Sequence, residues 1–349
     1  MQLRFAKRYC ALVLLLACAT AVSGIDAHAA ACTTQAQMSA TDRSSLEGSA
    51  RTVLAQVESG DEAGLQANTI PAVAADFSGI RNSVEYLRPL VERATITVDS
   101  LYLLDASDDQ AGEAHTDFYC GSPVVVIHFT NLPPAVYALA IVHATGIAQP
   151  QQVALILSKA NGGRWMLAGF FSKPMIAAGH DGLWYWISAR QFAQTKMDWD
   201  AWLYYRMAAN LLDPLDFLSS PNLDKLEHET DQVKPDNVPG AQPLHITTNG
   251  GVFTVTAIDT TTELGGLDLD VHYSPDSTQA TELRNPPMAR EQVSAIMAAL
   301  LELHPELAKA FHGIWVHADE GNTSLFALEL PMNQIPTGTQ GPVSSSMAR

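Results

Sequence analysis

Near residue 93 the spacing of apolar residues changes from helical to alternating, which limits the first half of the chain to helices layered on a sheet. Before that point Leu46, Ala50, Val53, Leu54 and Val57 recur at helical spacing, with Thr41 or Asp42 as a cap and Gly60 as the stop. A second helical stripe comprises Ile80, Val84, Leu87 and Val91. Beyond it, 95–104, 123–130, 137–144, 153–159 and 165–171 alternate as strands, and Asn161-Gly162-Gly163 reads as a hairpin turn between the last two. Helices followed by antiparallel strands predict an α+β domain over 30–176, its helices covering one face of a curved antiparallel sheet.

The order and length of these elements over 40–174 resemble the nuclear-transport-factor-2-like, cystatin-related fold. That resemblance implies a cone-shaped sheet with a pocket, which members of the family use for catalysis, for binding or for dimer contacts. Within a helical hairpin at 177–218, Tyr185, Ala189, Phe192, Ala201, Tyr205 and Ala208 fall at the spacing of one tetratricopeptide repeat, and the segment resembles a single such unit. No second copy follows, so the peptide-holding groove of repeat arrays is not expected, and the hairpin is read as packing on a neighbouring sheet. Its Trp184, Trp186, Trp199 and Trp202 are partner-binding candidates where exposed and packing residues where buried.

Ser, Pro and charged residues mark 219–244 as a linker with one short helix near 223–228. A second alternating region over 245–335 predicts strands at 252–259, 267–273, 314–318 and 323–330. Val293, Ile296, Met297 and Leu300 mark an amphipathic helix between them, and Pro305 and Gly313 bracket a short one. The sum is a smaller ββααββ unit, also α+β. The Gly, Pro and Ser-rich stretch at 336–349 reads as a disordered tail.

The first 29 residues have the grammar of a secretory signal peptide: Arg4, Lys7 and Arg8, an apolar run over 9–22, and Ala27-His28-Ala29 as a cleavage site. At about fourteen residues the run is short of the ~20 that span a bilayer, and no later segment approaches that length, so no transmembrane segment is expected. Leu15-Leu16-Ala17-Cys18 resembles a bacterial lipobox, which makes a lipid anchor at Cys18 the competing outcome. Localisation is therefore periplasmic or secreted, with a membrane-tethered lipoprotein as the alternative. Cys10 and Cys18 fall in the leader, leaving Cys32 and Cys120, which in an oxidising compartment predict one disulfide. A bond closing so long a loop is worth on the order of 4 kcal/mol.

The chain carries 20 Lys and Arg against 37 Asp and Glu, and removal of Arg4, Lys7, Arg8 and Asp26 leaves 17 against 36. That balance argues against nucleic acid as a partner. The sequence has no H-E-x-x-H helix, G-x-S-x-G elbow, Walker-type phosphate loop or C-x-x-C pair. Nothing calls for a cofactor. The leading expectation is a non-enzymatic bacterial cell-envelope module for binding or assembly, its partner an envelope protein or a small ligand. The alternative is a small-ligand receptor or proton-transfer enzyme with a pocket in the first domain. There a hairpin turning at 131–134 sets His128 opposite Tyr137, with His143 on the same face and Tyr102 joining from the first strand.

Asp268, Asp270 and His272 alternate along one strand, facing Thr254 and Thr256. They are the metal candidates, although side chains two apart on a strand rarely converge on an ion without a ligand from elsewhere, and a solvated outer face is the expectation. Asp105, Asp108, Asp109 and Glu113 fail the EF-hand pattern at Gln110 and Thr116 and read as a solvated acidic loop. Asn322-Thr323-Ser324 is a glycosylation sequon read as a turn.

Intact mass of the protein exported from a bacterial host, before and after reduction and alkylation, should show a mature start at Ala30 and one reducible bond. A start at Cys18 with added acyl mass would instead establish the lipoprotein.

Overall fold

A computed structural model describes residues 30–109, 112, 114–160, 162–336 and 344–347. The leader, its cleavage site and Cys18 lie outside the described residues. The fold is α+β. Its first part runs β1 (Ala31–Thr34), α1 (Ala40–Ser59), α2 (Glu62–Ala67), α3 (Pro71–Ala74), α4 (Ser78–Val91), β2 (Thr95–Asp105), β3 (His115–Cys120), β4 (Val125–Thr130), β5 (Val136–Thr145), β6 (Gln151–Lys159) and β7 (Trp165–Pro174). Helix α1 starts two or three residues earlier than expected: Ser39 is the cap, its side chain accepting from the Asp42 N–H. It stops at Gly60, whose φ of 69° is open to glycine at little cost.

The main sheet has the order β1-β2-β5-β6-β7 and is antiparallel throughout. Along β5 the small residues Ala138, Ala140, Val142 and Ala144 meet Leu46, Val53, Leu54 and Leu87 of the helices. Tyr137, Leu139 and Ile141 point the other way. That second face is where the expected meander fails. Strand β4 pairs with β3, a strand the alternation does not announce, and with the short β10 (Leu218–Ser219), forming a separate three-stranded sheet. Phe118 and Ile127 of this sheet pack with Leu104, Leu139, Ile141 and Ile156. The main sheet is thus covered on both faces. A disulfide between Cys32 of β1 and Cys120 of β3, 88 residues apart in sequence, ties the two sheets together.

After the short β8 (Ile176–Ala177) and β9 (His180–Asp181), the hairpin α5 (Gly182–Gln194) and α6 (Asp198–Leu212) forms as expected. It has no core of its own. Tyr185, Trp199, Trp202, Tyr205 and Leu211 share one apolar cluster with Leu244, Ile258, Ile296 and Val316 of the C-terminal unit. The stretch read as a linker also contributes structure: α7 (Pro221–Val233), capped by Ser220, is twice the expected length. Glu229 of α7 accepts two hydrogen bonds from the Arg190 guanidinium, at 2.7 and 2.8 Å, and one from Trp186 Nε1 at 2.7 Å.

The C-terminal unit comprises β11 (Leu244–Thr248), β12 (Gly251–Thr261), β13 (Asp268–Ser274), α8 (Ser277–Glu282), α9 (Pro286–Leu303), α10 (Leu307–Ala310), β14 (Gly313–Glu320), β15 (Thr323–Pro331) and β16 (Ser344–Met347). Its sheet has the order β15-β14-β13-β12-β11-β16, antiparallel except between β13 and β14, which are parallel. Residues 344–347, expected in a disordered tail, instead form the edge strand beside β11, whose own alternation is short. The intervening 337–343 lie outside the described residues. Val293, Ile296, Met297 and Leu300 of α9 share a core with the inner-face residues Leu269, Val271, Ile314 and Val316.

Where α6 meets the end of α9, Asp200 is only 1 % exposed, and neither of its carboxylate oxygens has a hydrogen-bond partner among the described residues. Burial, with a smaller contribution from the Glu306 carboxylate, pushes its carboxyl up to about 7 from 3.8. The native state therefore holds this proton more tightly than the unfolded chain, and stability falls as pH rises from about 4 to about 7. Asp200→Asn should raise the melting temperature at pH 8, by an amount on the order of a few kcal/mol in stability. The gain should vanish near pH 4. An equal gain at both pH values would contradict this origin.

Candidate functional site

The first-domain candidates do not assemble. Tyr102, Tyr137 and His143 do lie on one face of the main sheet, since Tyr102 pairs with Leu139 in β5 and the alternation of β5 places Tyr137, Leu139 and His143 together. That face is filled by the small sheet rather than opening onto a cavity. Tyr137 is buried and its hydroxyl donates to the Pro133 carbonyl at 2.8 Å, while burial raises its pKa and that of Tyr102. His143 contacts Gln152 Oε1 at 3.1 Å, with Asp99 3.9 Å away. His128 is elsewhere: because β4 pairs with β3 and not with β5, it lies opposite Asp117, whose carboxylate it meets at 2.8 Å.

The hairpin aromatics divide. Trp186, Trp199 and Trp202 are buried in the core shared with the C-terminal unit. Trp184 is exposed, stacked on His180 at 3.6 Å between ring centres, with Leu183 and Ile187 exposed near it on α5.

The outer face of the C-terminal sheet gathers chemistry-bearing groups from two strands. In β13 the residues Leu269, Val271 and Tyr273 are fully buried against the helices, so Asp270 and His272 point outward. In β14 Ile314, Val316 and Ala318 do the same, turning Trp315, His317 and Asp319 outward. The parallel register sets His272 beside His317 and Asp270 beside Trp315. Gly313 helps to hold that register. A Cβ there would lie 2.8 Å from the Leu330 carbonyl oxygen and 3.1 Å from Asp268 Oδ1, so only glycine lets β14 enter so closely.

Of the three residues suggested by alternation, Asp268 does not join the cluster. It sits at the first position of β13, fully buried, accepting from the Leu264 N–H at 3.1 Å and lying 3.1 Å from His312 Nδ1. Its role is to anchor the preceding turn. Nor do both expected threonines face the cluster. A bulge between Val255 and Ala257 sets Ala257 opposite His272, and Thr256 donates to the His272 backbone carbonyl at 3.2 Å. The groups that complete the site, His317 and Asp319, are 45 or more residues away in sequence. Their signal was the alternation of 314–318 itself, but only the parallel pairing shows which neighbours they meet.

Within the cluster His272 Nδ1 lies 2.6 Å from Asp319 Oδ2, a short charge-assisted hydrogen bond. Both His272 Nε2 and His317 Nε2 lie 3.3 Å from Asp270 Oδ1. The two imidazoles stack at 4.7 Å with an 11° interplanar angle, and Trp315 packs on His317 at 4.5 Å. The side chains of Asp270, His272, His317 and Asp319 retain 15–33 % of their exposure, so the cluster is sheltered but reachable from solvent. For His272, burial works against the charged form, yet the Asp319 hydrogen bond and the charges of Asp270 and Asp319 outweigh it and raise the pKa. For His317 burial prevails and, with repulsion from His272, lowers it. One carboxylate and two imidazoles, with donor atoms within 4.8 Å of one another, can hold a cation or orient a polar ligand.

Compared with protein-family models, with curated proteins and with solved structures, the chain finds no match.

Proposed function

We propose that this chain is an exported, non-enzymatic binding module of a bacterial cell envelope, and that its working surface is the outer face of the C-terminal sheet. The observation that carries this reading is the convergence of Asp270, His272, His317 and Asp319 from two adjacent strands, with each side chain partly open to solvent. The leader grammar of residues 1–29 and the Cys32–Cys120 disulfide support export. Among the described residues no helix is long and apolar enough to cross a membrane.

The first unit fits the role of a rigid carrier, with both faces of its main sheet packed. Its likeness to the nuclear-transport-factor-2-like fold stays part of the proposal and assigns no chemistry. A receptor or proton-transfer site there has less in its favour, because His128 is on a different sheet from Tyr137 and His143.

The test is a thermal-shift panel of amino acids, sugars, carboxylates, amines and inorganic cations on the mature protein. Two variants are compared, Asp270→Ala with His317→Ala, and Tyr102→Phe with His143→Ala. At least one compound should raise the melting temperature of the wild type and of the first-domain variant, with the shift lost in the C-terminal one. Saturation at 100 times Kd is worth about 2.7 kcal/mol, well within detection. Shifts lost only in the first-domain variant, or chemical turnover of a panel compound, would contradict the reading.

A further inference from the structure

Resting on the reading of that face as the working surface, we infer that Asp270, His272 and His317 form a binding site for one divalent transition-metal ion of the zinc class. The strongest ground is a buried carboxylate oxygen without a hydrogen-bond partner, flanked by two ring nitrogens. In the neutral His272 ring the 2.6 Å contact with the Asp319 carboxylate places the proton on Nδ1, so Nε2 is the atom free to ligate. His272 Nε2 lies 3.3 Å from Asp270 Oδ1, and His317 Nε2 approaches the same oxygen at 3.3 Å. Neither contact has hydrogen-bond geometry, and Asp270 Oδ1 is a buried oxygen with no hydrogen-bond partner. A buried acceptor left unsatisfied costs about 1–3 kcal/mol, more when charged. A cation among these three atoms would give Asp270 Oδ1 the partner it lacks.

Spacing and ligand type select the kind of cation. Ligand bonds of about 2.0–2.1 Å at tetrahedral angles place donors about 3.3–3.4 Å apart. The two Asp270 to imidazole distances already have that value, and the stacked imidazoles would turn toward each other to close the third side on an ion. Two nitrogens and one carboxylate oxygen suit zinc, nickel or copper, whereas calcium and magnesium take oxygen shells. Asp319 behind His272 supplies the carboxylate that orients a ligating imidazole and makes it more basic. Both strands that carry the ligands are interior to the six-stranded sheet, which gives the site a rigid base. Three protein donors leave a position open toward solvent for water or for a small ligand.

The experiment is calorimetric titration of chelator-stripped mature protein with zinc chloride alone, and with calcium and magnesium chloride as controls. Cobalt(II) absorption provides the second readout. One zinc per chain is expected with micromolar or tighter affinity, and cobalt should give the intense visible bands of a tetrahedral site. His317→Ala and Asp270→Asn should each weaken binding at least tenfold, and Asp319→Asn 10–100-fold. His312→Ala should leave it unchanged. All four side chains are partly exposed, and retention of the metal-free melting temperature within a few degrees shows that each variant has folded. Absence of zinc binding at 100 µM, or binding unchanged in both His317→Ala and Asp270→Asn, would overturn the inference. If zinc fails while another panel compound still stabilises through these residues, the metal is wrong and the binding surface stands. If both fail, the surface is wrong too.

Discussion

The parallel pairing of β13 with β14 is the interaction on which the candidate site depends. Parallel neighbours need a long crossover, and here residues 275–312 provide it, with α9 laid across the inner face of the sheet. Burial of Leu269, Val271 and Tyr273 on one strand and of Ile314, Val316 and Ala318 on the other fixes which side chains point outward. A slip of one residue in either strand would turn its apolar set to solvent and its histidine into the core. The cluster is therefore held by the hydrophobic effect acting on the opposite face, and the polar groups themselves need contribute little to placing it.

The same core explains why the helical hairpin is not an independent unit. Trp199, Trp202 and Tyr205 complete the apolar cluster that begins with the C-terminal sheet, and α7 closes over the hairpin through Glu229, Arg190 and Trp186. Two carboxylates show how location decides consequence. Asp200 lies in this seam with no hydrogen-bond partner, and burial keeps its proton on into the neutral range. Asp270 lies on the reachable outer face beside two ring nitrogens, where a cation can serve it instead.

Much of the architecture was legible from local periodicity. The stripes of α1 and α4, the long strands β2 and β5 to β7, the hairpin α5 and α6, and the amphipathic face of α9 all emerge from residues a few positions apart, as does the cysteine count behind the disulfide. What escaped depends on distant pairing. Strand β3 is too short and polar to stand out, and its recruitment of β4 moved His128 away from Tyr137. Strand β16 is serine-rich and acquires its conformation from β11. In the site, alternation placed Asp270 and His272 together but included Asp268, whose position at the strand's first residue turns it into the preceding turn. His317 and Asp319 could be placed only once the order of strands was known.

The most direct measurement is diffraction from crystals of the mature protein grown with zinc, recorded on both sides of the zinc absorption edge. A single anomalous peak should lie about 2.0–2.1 Å from Asp270 Oδ1 and from the Nε2 atoms of His272 and His317, with the Nδ1 of His272 still bonded to Asp319. A peak confined to other histidines, with ordered water or nothing between Asp270 and the two imidazoles, would contradict the account.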